Sequence, residues 1–179
     1  MRASDKWFIA ITPEAPIADE GSKIAALLRE GWHRVHLRHP HASRREISSI
    51  IESIPQELHD KIVLHGHFGL AAEFNLGGLH LNHRCPAPPS FYSGPLSRSC
   101  HSVDEVLQSD GMAYVTLSPV FDSISKQGYK AAFTADDLKR LDDATVPVIA
   151  LGGITEERIA ELQRYNFAGY AMLGAVGWH

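Results

Sequence analysis

Cysteine is scarce: the 179 residues contain two, Cys85 and Cys100, and no C-x-x-C pair. That excludes a disulfide framework and a zinc knuckle. No basic run occurs, and the formal net charge is −4, which argues against non-specific nucleic-acid binding. No apolar run approaches the roughly 18 residues needed to cross a bilayer. The N-terminal MRASDKWFIAITP has too short an apolar stretch for a signal-peptide core, and Pro13 ends it. The expectation is a cytoplasmic, reducing setting with no nucleic-acid and no membrane partner. Repeats, low-complexity segments and linkers are also missing, so residues 1–179 are expected to form one domain.

What is present is alternation. About eight short apolar runs recur: WFIAI (7–11), RVHLR (34–38), KIVLH (61–65), GLHL (78–81), LSRS (96–99), AYVTL (113–117), VPVIAL (146–151) and GYAML (169–173). Amphipathic stretches lie between them. Ile47, Ile50, Ile51 and Ile54 follow a helical stripe. Ser43 with Glu46 and Ser102 with Glu105 read as capping boxes, and Thr134 and Thr155 as N-caps. Gly31, Gly77 and Gly111 sit where helices should stop.

Strands alternating with helices mean a parallel sheet, because parallel strands need a crossover. About eight such units predict a compact (β/α)8 TIM barrel; an open doubly wound sheet is the alternative. The fourth unit looks reduced, since NHRCPAPPSFYSGP is too rich in Pro and Ser for a full helix. Only GAVGWH follows the eighth run, which leaves no full closing helix. Val176 and Trp178 are then expected to be exposed, and a homodimer covering that face is the expected remedy. The alternative is that Trp178 folds back and caps the barrel itself.

In this fold class chemistry sits just beyond the C-terminal ends of the strands. Gly152, Gly153 and Gly174 follow runs seven and eight, where backbone amides commonly receive a phosphate. Run six leads into SPVFDSISKQG, whose Ser123, Ser125 and Lys126 offer hydroxyls and a cation to an anion. A solvated loop is the bland alternative.

These segments carry a resemblance. SRSCHS, TLSPVFDSISKQG, VPVIALGGIT and FAGYAMLGAV are similar, in order and spacing, to motifs of the thiamine phosphate synthase family, including its thiazole tautomerase branch. VHLRHP, VLHGHFGLA and GGLHLNH resemble earlier motifs more loosely. The resemblance implies thiamine biosynthesis, a small TIM barrel and a phosphorylated thiazole or thiamine phosphate as partner. In a synthase it also implies a pyrimidine diphosphate, a pyrophosphate leaving group and magnesium. Carried over residue by residue, it puts Ser99, Ser123, Ser125 and Lys126 on the pyrophosphate. Gly152 and Gly153 fall on the thiazole phosphate, and Arg38 on the arginine of a Q-x-R-x-K segment.

The departures from that pattern are as informative. His36 replaces the glutamine and Pro40 the lysine of that segment. An Asn-Asp pair becomes His65-Gly66, and the second acidic position is Cys85. Both magnesium carboxylates are therefore missing, which argues against synthase activity of the usual kind. Pro119 stands where the tautomerase branch has its proton-transferring histidine. Of the 11 histidines, His36, His39, His41, His65, His67, His80, His83 and His101 cluster around the ends of runs two to five. One reading makes His36 and His65 acid-base catalysts beside Lys126. Another makes His65, His67, His83 and Cys85 ligands of a transition metal. The expected function is that of a family member binding a phosphorylated thiazole. Alternatives are a tautomerase-like isomerase, a non-catalytic binder of thiamine phosphates, and a histidine-metal enzyme.

Overall fold

The computed structural model describes residues 6–121 and 133–178, apart from the Ala175 side chain. Its strands are β1 (Trp7–Ile11), β2 (Arg34–Leu37), β3 (Ile62–Leu64), β4 (Gly78–Leu81), β5 (Leu96–Cys100), β6 (Tyr114–Leu117), β7 (Val148–Leu151) and β8 (Gly169–Met172). Each coincides with an expected run to within one or two residues. Hydrogen bonding orders them β1 to β8 in a closed parallel barrel. AYVTL and VPVIAL read as nearly continuous apolar runs because both faces of such a sheet are covered; every residue of β3, β4, β6 and β8 is buried.

The crossovers are α1 (Glu20–Arg29), α2 (Arg44–Glu52), α3 (Gly69–Glu73), α4 (Val103–Leu107), α5 (Ala135–Lys139) and α6 (Glu156–Leu162). The fourth unit carries no helix, as its proline content requires, and β8 is followed by a single 3-10 turn, Gly174–Val176. No helix among the described residues is long and apolar enough to cross a membrane.

The chain gathers into two compact units. The first comprises Ile9–Leu96 with Gly177 and Trp178. Here Ser43 accepts from the Glu46 N–H, and Glu46 returns the bond to the Ser43 backbone. The isoleucine stripe buries Ile47, Ile51 and Ile54, with Ile50 at its half-buried margin. His59 is a satisfied core histidine whose ring nitrogens face the carbonyls of Ile51, Ile54 and Phe74. The Trp178 indole donates to the Ile11 carbonyl at 3.0 Å and is half-buried, as is Val176. Val176 and Trp178 therefore leave less apolar surface exposed than the sequence led us to expect. An indole N–H that finds a buried carbonyl leaves its ring against the wall rather than in water.

Gly77 needs a second correction. Asn75, at φ +52°, takes the left-handed position after α3. Gly77 instead lets the chain pass close to the turn before β3: a Cβ there would lie 2.0 Å from the Asp60 carbonyl oxygen. Gly77→Ala is expected to destabilise the protein by roughly 1–3 kcal/mol, since backbone must move on both sides. Gly66→Ala, with nothing within 4 Å of its added Cβ, should be close to neutral. Urea midpoints for the two variants check the contrast; equal midpoints would contradict it.

The second unit comprises Trp7, Phe8 and Ser97–Val176. Trp7 packs edge-on against Tyr114, Phe8 lies against Tyr170, and Phe167 is buried. Thr134 and Asp137 form a complete capping box. At α4 the box is half-formed: Ser102 accepts from the Glu105 N–H, but the Glu105 carboxylate accepts from His101 N–H at 2.6 Å.

Candidate functional site

In the first unit the parallel register assembles histidines. His36 of β2 stands opposite Val63 of β3. His65, two residues beyond Val63, returns to the same face by strand alternation. His80 of β4 completes the group. His36 Nδ1 lies 2.8 Å from His65 Nε2. The His65 and His80 rings stack with centroids 4.3 Å apart, and His36 meets His80 at 4.9 Å. A ligand nitrogen from each ring lies within 4.8 Å of the other two. His36 and His80 are buried, and His65 is half-buried.

Burial holds all three rings neutral. It pushes His80 down to about 3. His36 is held well below the usual histidine value by burial first, then by the neighbouring His80 and Arg34. His65 is lowered likewise, by burial first and then by His80, His36 and Arg38. The Asn82 amide donates to the carbonyls of both His65 and His80 at 3.0 Å, tying the ends of β3 and β4 together. Its Oδ1 accepts from the Arg84 and Cys85 N–H groups.

His67, His83 and Cys85 do not join this group. His67, at φ +48°, turns out of the strand line and its Nε2 meets the Ala42 carbonyl at 2.8 Å. His83 is exposed, and the Cys85 backbone closes a turn on Asn82. Among the described residues, the group close enough to share one ion is His36, His65 and His80, which has only His65 in common with the grouping expected from the sequence. His80 was visible in GLHL but not singled out; its signal is a histidine at the same strand position as in RVHL. His39 is separate, hydrogen-bonded to Glu20 at 2.7 Å. Arg38 directs both terminal guanidinium nitrogens to the Glu14 carboxylate at 3.2 Å.

The second unit holds the phosphate-loop candidates. Gly152 and Gly153 both adopt positive φ, +97° and +62°. A Cβ on Gly152 would come within 2.8 Å of Pro119 Cα, so glycine is needed for backbone freedom and for this close approach. Val120 N–H bonds the Leu151 carbonyl and Phe121 N–H the Gly152 carbonyl, stitching the β6 and β7 loops together. Arg158, one turn into α6, donates to the Gly153 carbonyl at 2.9 Å, and its guanidinium lies 5.1 Å from the Phe121 ring centroid. No short motif marks Arg158 in the sequence; its place as a cation on the glycine loop depends on the direction of α6. Thr155 caps α6 through its side chain. Gly174 opens the turn after β8, whose Ala171 pairs with Leu151. Ser99 on β5 stands opposite Thr116 on β6. Ser123, Ser125 and Lys126 lie outside the described residues.

The imidazole set does not fit magnesium. Magnesium demands hard oxygen donors, whereas this group offers nitrogen, and Gly66 and Cys85 stand at the positions where the resemblance implies acids.

A family model described as thiamine monophosphate synthase matches residues 8–176. A crystal structure of thiamine phosphate pyrophosphorylase from Bacteroides thetaiotaomicron superposes with a TM-score of 0.84 and 36% identity, covering 94% of this chain and 83% of that one. A thiamine-phosphate synthase of Chloroflexus aurantiacus is 31% identical over 84 residues, 45% of this chain and 39% of the relative. One from Salinibacter ruber is 29% identical over 124 residues, 64% of this chain. The match spans 54% of that relative's length, so neither of these two is covered to two thirds.

Proposed function

Since the chain belongs to the thiamine monophosphate synthase family, we propose that it serves thiamine biosynthesis by binding a phosphorylated thiazole or thiamine phosphate. The observation that carries this reading is the glycine loop after β7. Two consecutive left-handed glycines present backbone without side chains, and Arg158 adds positive charge on the Gly153 carbonyl. Ser99 and Gly174 are proposed to extend the anion subsites of this unit, and the resemblance assigns Lys126 to the pyrophosphate.

Pyrophosphate release in the usual magnesium-assisted way is not part of the reading, because no carboxylate joins the imidazole set among the described residues and nitrogen donors suit magnesium poorly. In calorimetry, thiamine phosphate is expected to bind with the same affinity with and without magnesium. Arg158→Ala should weaken binding roughly tenfold, the worth of about 1.4 kcal/mol for a charge near phosphate. A large magnesium-dependent gain, or no binding of thiamine phosphate at all, would overturn the reading.

The short His36–His65 contact favours a second reading, a thiazole isomerase. One ring of the neutral pair donates and the other accepts. Such a pair can take a proton from one substrate atom and return a proton to another, with no co-reactant. Turnover of the thiazole carboxylate phosphate by metal-free protein separates this isomerase from a binder without turnover.

A further inference from the structure

Three imidazoles from three adjacent strands converge on one face of the sheet. We propose that His36, His65 and His80 form a binding site for a borderline divalent transition ion of the zinc class. Their ligand nitrogens already lie within 4.8 Å of one another. Tetrahedral zinc with nitrogen ligands at about 2.0–2.1 Å places those nitrogens roughly 3.3 Å apart. The 2.8 Å His36–His65 contact must therefore open by about half an ångström, and the wider pairs must close. Rotation of a ring about its side-chain bonds covers such a distance without moving a strand.

The surroundings suit an ion that keeps one open position. Two ligands are buried and the third is half-buried, an enclosure that suits three protein ligands and one exchangeable position. Asn82 supports the set from behind. By holding the His65 and His80 carbonyls at 3.0 Å, it fixes the spacing of the two backbones that carry those rings. Three nitrogens and no carboxylate select zinc, cobalt, nickel or copper over magnesium and calcium. The ion would occupy the nitrogens that the isomerase reading uses. The metal site goes beyond that reading, and it is tested by the ion alone, independently of any turnover.

The test is a cobalt(II) titration of chelator-treated full-length chain, followed by visible absorption. The expected result is one equivalent bound with the intense bands of tetrahedral cobalt, displaced by zinc and untouched by magnesium. His80→Gln should weaken binding on the order of 100-fold or more, while His67→Gln and His83→Gln leave it within about twofold. Should His80→Gln fail to fold, Asn82→Ala reports instead, with an expected loss of roughly tenfold. Weak octahedral bands only, absence of saturation at one equivalent, or unchanged affinity in both His80→Gln and Asn82→Ala would overturn the site. So would loss of binding in Cys85→Ser or His83→Gln, which would put the ion elsewhere.

Discussion

At about pH 4.5 the metal-free protein should unfold at far lower urea concentration than at neutral pH, because its histidine cluster is held neutral. An unfolded histidine takes up a proton near pH 6.5, whereas His80 in the fold does so only at about 3. Between those values the unfolded chain binds more protons, so stability falls as pH falls. Above the unfolded value this contribution is fully present; below about 3 no more is lost through His80. At pH 4.5, two units below the unfolded value, His80 alone accounts for roughly 3 kcal/mol. His36 and His65 are shifted in the same direction and add to it. Against a typical domain stability of about 5–15 kcal/mol, that is enough to bring the protein close to its unfolding threshold. Urea denaturation of wild type and His80→Leu across this window isolates the effect from titrating carboxylates. The variant should have a shallower pH dependence, and parallel curves would refute the assignment.

Glu20→Ala should cost about 3–5 kcal/mol, the usual penalty for removing one member of a buried polar pair. The Glu20 and His39 side chains are 1% and 0% exposed, and their carboxylate and imidazole meet at 2.7 Å. The other Glu20 oxygen accepts from the Ile17 N–H. The pair thus joins the first turn of α1 to the chain leaving β2. His39 Nδ1 has no hydrogen-bond partner among the described residues, so removal of Glu20 leaves the whole ring unsatisfied. His39→Leu alone should also destabilise. The double variant should lose less than the sum of the two singles, because each single strands the other buried side chain, whereas the double leaves only the Ile17 N–H without its acceptor. Additive losses in a urea-monitored double-mutant cycle would show that the two side chains act independently.

The strands are legible in the chain itself. A parallel barrel strand is covered on both faces, so AYVTL and VPVIAL need no knowledge of their neighbours to be recognised. The caps at Ser43, Thr134 and Thr155 are equally local, since a cap hydroxyl reaches an amide three residues away. At Ser102 the same logic reaches only half the result, because the Glu105 carboxylate bonds the His101 N–H one residue earlier.

The sequence by itself determined the strand-helix alternation, the helixless fourth unit and the family likeness. All of these reside in residue types and short spacings. Only the tertiary structure decided which histidines meet. Read along the chain, His65, His67, His83 and Cys85 group as neighbours in sequence. The register between β2 and β3 instead brings His36 and His65 to one face, and the next strand supplies His80. The positive φ of His67 takes its ring away to the Ala42 carbonyl. Trp178 likewise reads as exposed from its position near the end, yet its indole reaches the Ile11 carbonyl, 167 residues away in sequence. The reason is the same in both cases. Alternation along a strand is a property of its own backbone, whereas register and long-range partners are set by packing between segments distant in the chain.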